Sequence, residues 1–263
     1  RYVRSYHSFL SQGIIFHPDA TKSLYFGIEL ETEGFRDLKG AAEELHNLSE
    51  NEELFRLEED CSLTQGFEII SQPCTLSYHR DIFPWRAITK VVRHYGGHSE
   101  KTPHAALHIH FSSKFFKGKR EELYQLRLIY IFEKFWEELI KLARTSRYLE
   151  LRSAQKYDHN VIAIPAKKKI QELKRRYDRM HGVNLHSSEK TIEIRIFRGT
   201  LVSSTVLASI ELVDFLVRLA KNTSTRKLQK LTWNGLVERI NSKKYRYLPQ
   251  YIKDSHYNKE KEE

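Results

Sequence analysis

Four short stretches of this chain alternate apolar and polar residues with a period of two: FGIELE (26–31), GFEII (66–70), ALHIHF (106–111) and TIEIRIF (191–197). A period of two is the signature of a strand that buries one face, because successive side chains point to opposite sides of a sheet. The buried sets are aliphatic and aromatic: Phe26, Ile28 and Leu30; Leu107, Ile109 and Phe111; Ile192, Ile194 and Ile196. The opposite sets are Glu29 and Glu31, then Glu68, then His108 and His110, then Glu193 and Arg195, with Phe197 in phase with the last pair. Such a chain is expected to build a sheet with an apolar face against helices and a second face carrying acids, imidazoles and a guanidinium.

Taken singly, each stretch has a plain explanation. Glu29 and Glu31 suit a solvent-facing strand, His108 and His110 a surface pair, and Glu193 with Arg195 a surface ion pair. Two carboxylates on one strand face repel unless a cation or protons lie between them. Four such strands together are poorly explained by coincidence. If they share one sheet face, their carboxylates and imidazoles suit Mg²⁺ or Mn²⁺, and arginines remain for phosphate. Asp60, eight residues before Glu68, joins the set. The chain has no Walker loop and no GxGxxG, which argues against P-loop and dinucleotide-binding folds.

The intervening sequence predicts the remaining elements. Residues 24–34, 66–73 and 105–113 read as strands, with Pro73 ending the second. Helical spacing is expected over 36–58, over 77–95 (Ile82, Trp85, Ile88, Val91, Val92 and Tyr95) and over 119–145, the longest amphipathic run. Gly96 and Gly97 open a polar loop. Residues 146–180 are basic and mixed, 182–187 and 191–200 form a hairpin across Ser188–Lys190, and helices follow near 203–221 and 225–241. Residues 242–263 are expected to fray or to bind a partner. The fold class is α+β with a largely antiparallel sheet. The expected division is an N-terminal extension (1–20), a main domain carrying the polar strand faces (21–221) and a C-terminal helix with a basic tail (222–263).

Forty-four Lys and Arg against 34 Asp and Glu leave a formal charge of +10, which favours anionic partners. Cys61 and Cys74 are too few for a disulfide framework and fit a reducing cytoplasm. No apolar run reaches membrane-spanning length, and no signal peptide is read at the start. Acidic neighbours make Cys61 a poor nucleophile, so a packing role is expected. His79, His94, His98 and His104 fit no zinc spacing and read as surface or loop residues.

In order, FGIELE, EEDCSLTQGFEIISQP, TLSYH, ALHIHF, VNLHSSEKTIEIRIFRGTL and LASIELVDFLV resemble the amidoligase family, carboxylate–amine ligases related to glutamine synthetase and glutamate–cysteine ligase. The resemblance runs from about Leu24 to Ala220. It implies a glutamine synthetase-like catalytic fold and an ATP-dependent ligase that joins a carboxylate to an amine (of an amino acid, peptide or protein side chain) through an acyl phosphate. It implies two to three Mg²⁺ or Mn²⁺ ions. Asp60 and Glu68, with one glutamate of Glu29 and Glu31, would hold one ion, and His108 and Glu193 another. His110 would lie near the phosphates, and Arg195, Arg198 and Arg147 would neutralise the transferred phosphoryl group. Cys61 and Ala106 stand where the family usually has Gly.

Two other readings use the same residues. Basic stretches with interleaved aromatics, at 166–179 and 242–261, suit nucleic acid, though a solvated helix face and a loose tail explain them as well. A metal-dependent phosphoesterase or nuclease could use the acids and imidazoles without an arginine beside the nucleotide. The oligomeric state is open.

Overall fold

The computed structural model describes residues 2–6, 13–100, 102, 104–157, 166–186 and 190–257. Its frame is a seven-stranded open sheet: β1 (Val3–Arg4), β2 (Phe26–Thr32), β3 (Phe55–Glu58), β4 (Phe67–Ser71), β5 (Ala106–Ser112), β6 (Val183–Asn184) and β7 (Thr191–Arg198). The spatial order is β1-β3-β4-β2-β5-β7-β6. Only β1, beside β3, is parallel to its neighbour. The fold is therefore mixed α+β with a mostly antiparallel sheet.

The apolar alternation sets the packing. Phe26, Ile28, Leu30, Phe67, Ile69, Leu107, Ile109, Phe111 and Ile194 are completely buried. Phe26 is paired with Phe111, Ile28 with Ile109, and Leu30 with both Leu107 and Ile69, so one face is apolar across the sheet centre. Eleven α-helices occur among the described residues: α1 (Leu38–Leu48), α2 (Leu76–Asp81), α3 (Trp85–His94), α4 (Glu121–Lys134), α5 (Trp136–Ala143), α6 (Arg147–Arg152), α7 (Ala166–Arg176), α8 (Ser203–Asn222), α9 (Thr225–Lys230), α10 (Trp233–Val237) and α11 (Leu248–Tyr257). α8 is the central one. It buries fourteen side chains and touches α2, α3, α4, α11 and β5.

Several expected boundaries move. The helix predicted over 36–58 stops at Leu48, and Phe55–Glu58 is instead β3, buried at every position. Glu50, Asn51 and Glu52 all adopt left-handed φ values, which a continuing helix cannot contain. The 77–95 helix breaks before Pro84, whose ring and missing N–H oppose a helix interior. Ile82 is consequently 63% exposed and not in the core. The 119–145 helix divides at Phe135 into α4 and α5, and the 225–241 helix divides where Thr232 caps α10.

The basic segment 146–180 contains α6 and α7. α7 buries Lys169, Ile170 and Leu173 and exposes Lys167, Lys168, Lys174, Arg175 and Arg176 to solvent. The hairpin of β6 and β7 is antiparallel as expected, and its tip at 187–189 lies outside the described residues. Part of the stretch expected to fray is α11. Glu211, fully buried in α8, accepts the N–H groups of Arg246, Tyr247 and Leu248 at 2.8–2.9 Å and fixes the start of that helix. Residues 258–263 lie outside the described residues. No described helix is long and apolar enough to cross a membrane.

Candidate active site

Cross-strand partners in a ladder carry their side chains on the same face. Glu68 is opposite Glu31, Glu29 opposite His108, His110 opposite Glu193, and Glu193 opposite Asn184. The polar half of each alternating stretch thus converges on one sheet face, over β4, β2, β5 and β7. Asp60 reaches that face from the connection between β3 and β4. Its Oδ1 accepts the Ser62 N–H at 2.6 Å, and Glu33 Oε2, just past β2, accepts the Thr64 N–H at 2.8 Å. Gly66 lets this connection pass close to β2, since a Cβ there would run into the Thr32 carbonyl oxygen.

Two groups emerge whose ligand atoms lie within 4.8 Å of one another: Glu31 with Asp60 and Glu68, and Glu29 with His110 and Glu193. His108 lies between them. Its Nδ1 is 3.4 Å from Glu29 Oε2, 3.4 Å from Glu193 Oε1 and 3.8 Å from Glu31 Oε1. The family resemblance implies that His108 joins Glu193 and that His110 lies near the phosphates; in the structure both imidazoles lie beside Glu193, and His110 is the one in the three-residue group.

The electrostatics are those of crowded carboxylates. Burial, reinforced by Glu29 and Glu31, pushes the Glu68 carboxyl up to about 11. Burial also raises Glu31 to about 7, against the pull of His108. Burial opposes the charge on Glu29, yet the His110 and His108 imidazoles hold it well below the ordinary carboxylate range. Burial likewise disfavours the charge on His110, but Glu29 and Glu193 lift it to about 9. Asp60 is partly desolvated and still falls below its usual value because Ser62 donates to it.

The raised Glu68 carboxyl and His110 imidazole thus offset part of the charge that the neighbouring acids carry. His110 Nε2 is buried 3.0 Å from Glu29 Oε1, yet no hydrogen bond of good geometry forms. An imidazole nitrogen so placed among carboxylates, with hard oxygen donors on both sides, fits a divalent cation.

Glu193 and Arg195 do pair. Arg195 Nη1 contacts Glu193 Oε1, and its Nε donates to the Ser153 carbonyl at 2.9 Å. This is no surface pair, because the Glu193 side chain is 4% exposed and that of Arg195 15%. Phe197 departs from the expected alternation. One extra residue in β7 between Ile194 and Phe197 forms a bulge opposite Leu107–Ile109. Phe197 then pairs with Leu107 on the apolar face and Arg198 pairs with Ala106. Arg198 is exposed and donates to the Glu100 carbonyl. Arg147, at the start of α6, is 74% exposed and paired with Glu150 at 2.8 Å. Neither arginine touches the cluster.

Cys61 is exposed and does not pack. The turn at Asp60 directs the acid inward and leaves the thiol outside. Cys61 is absent from the residues with left-handed backbone, so it fits where glycine is usual. Ala106 is buried, and its N–H donates to Glu31 Oε2 at 2.6 Å. Of the four histidines read as surface or loop residues, His79 is completely buried, with Nε2 3.0 Å from the Phe26 carbonyl. Asn184 escaped the sequence reading. Its Nδ2 lies 2.6 Å from Glu193 Oε2, with both residues buried.

The family model described as "Putative amidoligase enzyme" matches residues 36–217. The matched span takes in Asp60, Glu68, His108, His110, Glu193 and Arg195. It stops short of Glu29 and Glu31, which the sheet itself brings between Glu68 and His108. No curated protein matches the chain. With well over half its length matched, the chain belongs to the amidoligase family.

Proposed function

We propose that this protein is an ATP-dependent carboxylate–amine ligase, with a glutamine synthetase-like catalytic fold, that forms an amide or isopeptide bond through an acyl phosphate. The observation that carries this reading is the pair of acid and acid–imidazole groups side by side on one sheet face, with Arg195 beside them. Glu31, Asp60 and Glu68 would hold one Mg²⁺ or Mn²⁺. Glu29, His110 and Glu193, with His108 between the groups, would hold a second. When bound, the ions supply positive charge next to the triphosphate.

A carboxylate oxygen of the first substrate attacks the γ-phosphorus, and the bond to the β-phosphate oxygen breaks as ADP leaves. The amine nitrogen then attacks the acyl carbon, sheds a proton and expels inorganic phosphate. Arg195, braced by the Ser153 carbonyl, turns its guanidinium to the charge on the transferred group, and Arg198 and Arg147, held outside the cluster by Glu100 and Glu150, would contribute only by swinging in. His110 loses its proton before it can serve as a ligand. An arginine inside the cluster favours phosphoryl transfer from a nucleotide over simple metal-assisted hydrolysis.

Glu29→Ala and Glu193→Ala test the reading. Each is expected to lower ATP turnover at least about 10²-fold with an unchanged circular dichroism spectrum. Full activity in either variant contradicts it.

A further inference from the structure

Glu193 is the acid on which most of the cluster converges. Its Oε1 faces Arg195, His108 and His110. Its Oε2 is turned away from them and meets Asn184 Nδ2 at 2.6 Å. Asn184 is 1% exposed and Glu193 3%, so water does not compete for this contact.

The orientation of the Asn184 amide follows from its other end. The His186 backbone N–H lies 2.7 Å from Asn184 Oδ1. A backbone N–H can only donate, so that atom is the carbonyl oxygen and the NH₂ faces Glu193. The NH₂ can only donate in turn, so Glu193 Oε2 accepts. With Arg195 donating to Oε1, both oxygens of Glu193 are acceptors.

We propose that Asn184 is a positioning residue: it holds the Glu193 carboxylate in one rotamer, with a single oxygen presented to the cation site shared with Glu29 and His110. This rests on the reading of the two acid groups as cation sites. Partners of this kind, one shell out from the ligand, commonly change metal affinity by about 10–100-fold. Asn184→Asp keeps the shape and the acceptor for His186 but sets a carboxylate against Glu193 Oε2.

The test is Mn²⁺ binding, followed by calorimetry and by the paramagnetic resonance signal of free ion, with thermal melts of each metal-free protein. Wild type is expected to take up two ions. In Asn184→Asp one ion is expected to weaken at least about tenfold while the other keeps its affinity, and the melting temperature falls without loss of the folded state because two buried carboxylates meet. Asn184→Ser, which withdraws the donor without adding charge, should weaken the same ion. In a Glu193→Gln background, Asn184→Asp should add no further loss.

Selective loss of one ion in either variant supports the assignment. Unchanged affinities, or equal weakening of both ions, overturn it and leave the cation sites standing. Failure of wild type to bind Mn²⁺ overturns the cation sites and the assignment together. Unfolding of both variants places Asn184 in the fold instead and also overturns it.

Discussion

Arg195 has two partners that pull in different directions. Its Nε is tied to the Ser153 carbonyl, a fixed point after α6, while its Nη1 rests on Glu193, which the reading assigns to a metal. Arg147 is bound to Glu150 in solvent and Arg198 to the Glu100 carbonyl. Arg195→Ala is therefore expected to reduce turnover by about 10²–10³-fold. Arg147→Ala and Arg198→Ala should cost less, and steady-state kinetics on the three variants give the order. At this scale alternation reveals most of the site, because residues two apart on a strand must share a face. It cannot divide the ligands between groups. Whether His108 or His110 completes the Glu193 group depends on strand register, and the role of Asn184 depends on a two-residue strand whose partner lies nine positions on.

His79 shows how helices hold the ligand strands. It lies in α2, packs against Phe83 and Trp85, and meets the Phe26 carbonyl at the start of β2. Burial pushes its pKa down to about 4 from an ordinary value near 6.5. The unfolded chain binds the proton more readily, so the contribution of neutral His79 is complete above about pH 6.5 and is lost as pH falls from there through 4. Between pH 7 and 5 wild type should lose about 2 kcal/mol more than His79→Gln, whose amide does not titrate. Urea melts at the two pH values measure the difference. The sequence reads this residue as a surface or loop histidine because its spacing to His94, His98 and His104 fits no zinc site, whereas His79 is buried in α2 against Phe83 and Trp85, which only the tertiary packing reveals. A similar limit applies to β3. Phe-Arg-Leu-Glu suits helix and strand alike, and the left-handed run at 50–52 that decides between them has no distinctive composition.

Across the whole molecule, stability and activity compete on one sheet. Its apolar face is filled by α8 and neighbouring helices, while its other face crowds five carboxylates within reach of two imidazoles. A cation that binds only the folded state should relieve that crowding. At a hundredfold excess over Kd it contributes about 2.7 kcal/mol, roughly 5 °C or more in Tm for a chain of this size. Mn²⁺ should raise the melting temperature accordingly, EDTA should abolish the rise, and Glu68→Ala should reduce it. The antiparallel sheet was legible because four strands carry unambiguous alternation; the edge strand β1 and the helix α11 were not, since each depends on a tertiary partner.

The most direct measurement is to incubate the protein with ATP, Mg²⁺ and a panel of amino acids and peptides, and to identify the products by mass. ADP, inorganic phosphate and a new amide, all lost in Glu193→Ala, are the expected products. AMP, cleaved nucleic acid, or phosphate release without any amide under every combination would contradict the account.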